Sequence, residues 1–158
     1  MHVSDLMKFP AACAQAAARA VQQVLAGKVP EVLLPASDPN RQYIDDIEIT
    51  GGSVRVTAYS PCYTWHGNAP TCTVTATGDT VTSFHGLTTS GYRYCYDSAS
   101  GRIDIWRDGD TAYGDLGSRR FVPEVAAWAQ AIGVEPSLSI IETLQAAARE
   151  LDESKGGA

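Results

Sequence analysis

Residues 43–60 read YIDDIEIT-GG-SVRVTAYS, and this stretch decides the fold. Two runs that alternate apolar and polar residues flank Gly51-Gly52, a pair suited to the two-residue turn of a β-hairpin. Pairing Thr50 with Ser53 sets the register. Ile49 then faces Val54, Ile47 faces Val56, and Glu48 falls across from Arg55 as an opposite-charge pair. A slip of one residue destroys this agreement. The pattern predicts that Ile47, Ile49, Val54 and Val56 share one buried face.

The same signature recurs downstream. Strands over 71–77 and 80–86 flank Gly78-Asp79, with Val74 and Ala76 sharing a face with Val81 and threonines on the other side. An uninterrupted register there sets Cys72 opposite His85. A third hairpin over 92–97 and 102–107 turns at Ser98 to Gly101. Pairing Asp97 with Arg102 brings Tyr96 to Ile103 and Tyr94 to Ile105. After the turn at Asp108-Gly109, Thr111 to Tyr113 could add a short edge strand.

Helices bracket these strands. Cys13, Ala17, Val21, Val24 and Leu25 recur at helical spacing, so a helix is expected over 10–26, with Pro10 in its first turn and Gly27 as its cap. A short turn precedes it at Ser4 to Lys8. Pro30, Pro35 and Pro39 make 28–41 a crossing loop. Pro123 is expected to open a second helix with Val125, Trp128, Ala129 and Ile132 on one face, ended by Gly133. After Pro136, Ser139 and Glu142 have capping-box spacing, and Ile141, Leu144, Ala148 and Leu151 form the stripe of a third. Strands set apart from helices define an α+β fold rather than a parallel βαβ one. The expectation is one domain over 1–158, with an N-terminal helix, an antiparallel meander of five to seven strands and two C-terminal helices. Residues 1–8 and 153–158 are expected to fray.

Composition narrows the function. Of 158 residues, 44% are hydrophobic and 19% charged, enough apolar surface to support a core. The net charge of −6 argues against nucleic acid and anionic membrane as partners, since both are bound through Lys and Arg. No apolar run approaches the ~18 residues of a membrane span, and the Ala-rich stretch Ala11 to Ala20 lacks the basic leader of an export signal. Four cysteines are too few for a disulfide scaffold. A cytoplasmic location is expected.

Few residues invite chemistry. The loop Pro61 to Pro70 concentrates amphipathic side chains between two prolines, and Tyr63, Trp65, His66 and Asn68 are the candidate binding residues. The competing reading has Trp65 folding back to seal the sheet. Cys62, His66, Cys72, His85 and Cys95 could be metal ligands, but no C-x-x-C pair occurs and no zinc module has this spacing. Cysteines acting as small hydrophobes, or a Cys62–Cys72 bridge, rank above a metal site. No metal or cofactor is expected. Ser60 and Cys62 lie near His66 without an orienting carboxylate or oxyanion hole at known spacing. The carboxylates Asp45, Asp46, Glu48, Asp104, Asp108, Asp110 and Asp115 match no calcium loop. Arg119-Arg120, read as preceding the second helix, suits ordinary surface better than an anion site.

The function expected from this is a small cytoplasmic binding or regulatory module, non-catalytic and acting through protein contacts. An immunity-type or antitoxin-type role against a basic partner is one concrete version. The alternative is a small-ligand binder or enzyme with a pocket between the curved sheet and a helix, drawing on Tyr92, Arg93, Tyr94, His66 and His85.

Overall fold

The Gly51-Gly52 hairpin forms in the register its sequence dictates. Thr50 pairs with Ser53, Ile49 with Val54, Glu48 with Arg55 and Ile47 with Val56, and Arg55 donates to the Glu48 carboxylate. Gly51 supplies the positive φ that the turn needs, at +61°. The computed structural model describes residues 1–30, 41–61, 70–88, 91–107 and 116–136. In chain order the elements are α1 (Val3–Leu6), α2 (Ala12–Leu25), β1 (Tyr43–Thr50), β2 (Ser53–Tyr59), β3 (Thr71–Thr77), β4 (Thr80–Leu87), β5 (Tyr92–Asp97), β6 (Arg102–Arg107), α3 (Leu116–Ile132) and β7 (Glu135–Pro136).

The fold is α+β. Strands β1 to β6 form an antiparallel meander in sequence order, and the two-residue β7 adds to β6 in the parallel sense. That last strand departs from the wholly antiparallel sheet expected. It arises because the chain returns along α3 before it reaches β6, and a strand that re-enters after a helix can run parallel. The third hairpin keeps its predicted pairs, Asp97 with Arg102, Tyr96 with Ile103 and Tyr94 with Ile105. The expected third helix and the strand at 111–113 lie outside the described residues.

One face of the sheet is covered by helices. Val54, Val56, Val74 and Ala76 of β2 and β3 lie under α2, whose Ala14, Ala16, Ala17, Ala18 and Ala20 are all buried, and Val81, Phe84, Ile103 and Ile105 continue the same core along the sheet. Their small side chains let the helix sit close to the sheet. The aromatic centre lies where the three helices converge. Phe9, between α1 and α2, has its ring 4.9 Å from Tyr94, 5.0 Å from Trp128, 5.3 Å from Phe84 and 6.1 Å from Phe121.

Four expectations need correction. Residues 1–8 do not fray. Val3 and Leu6 are fully buried, the Val3 amide donates to the Asp79 carbonyl at 2.9 Å, and the Val81 amide donates to the Met1 carbonyl at 2.8 Å. The Trp128 indole donates to the Asp5 carbonyl at 2.8 Å. Second, α2 begins at Ala12, past Pro10, and Leu25 at its far end is exposed. Third, α3 begins at Leu116 and carries Pro123 inside it. Arg119 and Arg120 therefore lie within the helix, not before it. An interior proline gives up a hydrogen bond, but Phe121 and Val122 continue the buried stripe of Val125, Trp128 and Ala129. Packing of that stripe outweighs local propensity.

The fourth concerns the first hairpin. Val54 and Val56 are buried, Ile47 is half-buried and Ile49 is 64% exposed. The pairing holds, but the shared buried face does not. β1 is the outer strand, and α2 lies chiefly over β2 and β3, so the apolar side of β1 runs out past its cover. Ile49→Ala should accordingly change stability by less than about 0.5 kcal/mol. Ile47→Ala should fall below the ~2–5 kcal/mol of a fully buried site. Urea unfolding of the two variants checks this, and equal large losses would contradict the exposure of Ile49.

Candidate functional site

Side chains on a strand alternate between faces, so the residues between the core positions define the face that no described helix covers. Directly paired residues lie side by side there. One row crosses the sheet as Tyr43, Tyr59, Thr71, Leu87, Arg93 and Trp106. A second crosses as Thr57, Thr73, His85, Cys95 and Asp104, with the Thr57 and Thr73 hydroxyls 2.9 Å apart. At the β1 end of the first row the Tyr43 and Tyr59 rings stack at 5.6 Å, and the Arg41 guanidinium lies 5.1 Å from the Tyr43 ring centroid.

At the other end the two rows enclose a concavity of about 410 Å³ lined by Thr71, Thr73, His85, Gly86, Arg93, Tyr94, Cys95 and Trp106. Trp106 is 42% exposed. His85 and Cys95 are exposed, and Arg93 is half-buried. Gly86 is obligatory in this frame. A Cβ there would collide with the Thr71 carbonyl oxygen and the Tyr94 ring, both too confined to yield. The lining thus combines two aromatic side chains, a guanidinium, an imidazole, a thiol and three hydroxyls, with Asp104 paired to Cys95 at its margin.

The metal constellation considered from sequence does not assemble. β4 carries an extra residue against β3 between the pairs Thr75–Ser83 and Ala76–Val81, a β-bulge. The bulge shifts the register by one, so Cys72 pairs with Gly86 and His85 with Thr73. Cys72 thereby faces the core and His85 the opposite side. Cys72 is a free, fully buried thiol, which also removes the Cys62–Cys72 bridge. No group of three or more metal-ligating side chains occurs among the described residues.

Among the described residues the three cysteines are not activated thiols. Burial pushes the Cys13 and Cys72 thiols up to about 12, and Cys13 donates to Gln42 Oε1 at 2.7 Å. Cys95 faces out beside His85, but partial burial, then Asp104 and Asp97, raise its pKa. A thiol held protonated by carboxylates is a poor nucleophile.

Tyr63, Trp65, His66 and Asn68, with Cys62, lie outside the described residues. The ends of their loop are placed: the Ser60 amide donates to the Pro70 carbonyl at 3.0 Å, beside the Tyr59–Thr71 pair. The residues of the alternative pocket are split. Tyr92 and Tyr94 are buried under Phe121, whereas Arg93 and His85 face the other way. Of the two tyrosines only Tyr94 also borders the hollow that Arg93 and His85 line, across Gly86. Trp106, which the sequence reading did not single out, is the exposed centre of the site. Its signal was available, since RIDIWR places it on the side opposite Ile103 and Ile105. No family model, no curated protein and no solved structure matches this chain.

Proposed function

We propose that this chain is a non-catalytic binding module that acts through protein contacts, and that its contact surface is the open face of the sheet around Trp106. One observation carries the reading. The space between the sheet and the helices is packed with aromatic rings, while the opposite face holds an exposed indole within a shallow concavity. A buried pocket would favour a small-molecule reaction; an exposed aromatic with polar neighbours is what anchors protein interfaces. Among the described residues this face presents no activated nucleophile. Tyr63, Trp65, His66 and Asn68 lie in sequence between Tyr59 and Thr71 of the same row, so they belong to the same proposal.

The test begins with a partner captured by the whole chain from its native lysate, then purified and titrated calorimetrically against the recombinant protein. Trp106→Ala should weaken binding by ~2 kcal/mol or more, about 30-fold, as truncation of an interface anchor does. Its melting temperature should barely move, because the ring is partly in solvent. Undiminished binding by a folded Trp106→Ala protein would overturn the assignment of this face.

A further inference from the structure

We infer that the free edge of β1 takes up an extended segment of a partner protein in which basic residues alternate with apolar ones, adding it to the sheet as a further strand. This is a second contact, separate from the Trp106 face, and does not rest on that reading. β1 is the outermost strand and pairs on one side only among the described residues. Its two-residue turn makes Thr50–Ser53 a hydrogen-bonded pair, and along an antiparallel ladder such pairs alternate with non-bonded ones. Ile49 and Ile47, opposite Val54 and Val56, therefore direct their N–H and C=O groups away from β2. A row of unpaired backbone groups is a template for another strand. The bulge at Asp45 interrupts regular pairing before Asp46, which confines the template to residues 46–50.

The side chains along this edge select the occupant. On the helix side Ile49 is 64% exposed and Ile47 half-buried, past the cover of α2. On the open side stand the exposed carboxylates of Asp46 and Glu48. Glu48 already accepts from Arg55, which cancels part of its charge. Asp46, opposite Thr57, has no ion-pair partner among the described residues. Arg41, the other nearby cation, lies over the Tyr43 ring beyond the bulge. A strand laid beside 46–50 meets apolar side chains on one face and acid on the other. Alternating apolar and basic residues satisfy both, and acidic ones would face like charge. A second copy of this chain fits worse, because antiparallel self-pairing centred on Ile47 or on Glu48 sets carboxylate against carboxylate. The net charge of −6 also draws a basic segment in from a distance.

The probes are two capped pentapeptides, acetyl-KVKVK-amide and acetyl-EVEVE-amide, each titrated at low salt into the ¹⁵N-labelled whole protein. In the free protein the Ile47 and Ile49 amides should exchange with heavy water faster than the Glu48 amide, which donates to β2. The lysine peptide should shift the amide signals of residues 46–50 and slow exchange at Ile47 and Ile49. It should bind about fivefold or more tighter than the glutamate peptide, as expected for exposed charge pairs set against exposed like-charge contacts. Added salt should erode that preference, and Asp46→Asn should narrow it. Ile49→Pro removes an N–H that β2 does not use, a change that edge strands tolerate, and should abolish binding of the lysine peptide. Should this variant not fold, Asp46→Asn and the exchange rates of the parent chain carry the test. Trp106→Ala should bind the lysine peptide as the parent does, so failure of the Trp106 face is read separately. Equal binding of the two peptides, or no shifts at 46–50, would overturn the inference. So would a concentration-dependent dimer of the free chain that protects the same amides, since a second copy would then be the occupant.

Discussion

Phe9→Ala should cost about 3–5 kcal/mol, the range for removing a fully buried phenylalanine ring. Total stability of a domain this size is on the order of 5–15 kcal/mol, so the variant should stand close to unfolding at room temperature. The expectation follows from where the ring sits. Phe9 is fully buried and meets Phe84 and Tyr94 of the sheet, and Phe121 and Trp128 of α3, all with centroids within 6.1 Å. Several of these contacts are edge-to-face, which adds to simple area burial. Its neighbours are rings held by the sheet and by α3, so collapse into the void is expected to be small and the cavity term large. Urea unfolding followed by far-ultraviolet circular dichroism measures the loss. Leu25→Ala, at a residue 43% exposed, serves as a control and should stay within about 0.5 kcal/mol. A Phe9→Ala loss below about 1 kcal/mol would mean that the aromatic centre is not what joins the N-terminal segment to the sheet and α3.

That Phe9 holds such a place was not evident from the sequence, which marks residues 1–8 as an end. What was legible is local. Each hairpin announces itself in its turn residues and its alternation, and the pairs at Thr50–Ser53 and Asp97–Arg102 follow from a few neighbouring side chains. The bulge in β4 was half legible. Val81 and Phe84 are both buried, and two core residues three apart in one strand cannot share a face without an extra residue between them. Read that way, VTSF already separates Cys72 from His85. The start of α3 was legible in the same sense, because the stripe runs back through Pro123 to Phe121. The exposure of Ile49 was not, since it depends on which strands α2 covers, and that is set by contacts far apart in the chain.

For the site, alternation alone assigns Arg93 and Trp106 to one face and Tyr92 and Tyr94 to the other. Grouping Tyr92, Arg93 and Tyr94 together ignored that period. The bulge sets His85 beside Thr73 and Gly86 beside Cys72, so the lining of the concavity along β3 could not be read from an uninterrupted ladder. A single extra residue thus puts Cys72 and His85 on opposite faces of the sheet.

The second large effect is alkaline destabilisation through the buried thiols. Burial raises Cys13 and Cys72 from 9.0 to about 12, and it raises Tyr94 well above 10.0. The Tyr94 hydroxyl lies near the Cys72 thiol without a hydrogen bond of normal geometry, so little in the core welcomes a thiolate. Below pH 9 both thiols are protonated in the folded and unfolded chains alike, and their stabilising contribution is fully present. As the pH rises past 9 the unfolded chain releases these protons while the folded chain keeps them. The unfolded state then binds fewer protons, and stability falls with pH until the folded thiols titrate near 12. One unit of displaced titration is worth about 1.4 kcal/mol, so each thiol should remove roughly 2 kcal/mol by pH 10.5 and the pair roughly 4. Urea unfolding under reducing conditions at pH 8 and pH 10.5 gives the decline. Lysines and exposed tyrosines titrate in the same range, and a Cys13→Ala/Cys72→Ala variant carries them unchanged. That variant should be less stable at pH 8, through lost packing, yet its decline to pH 10.5 should be shallower by roughly the same 4 kcal/mol. A double variant that falls as steeply as the parent chain would show that the two thiols do not set the alkaline limit of this fold.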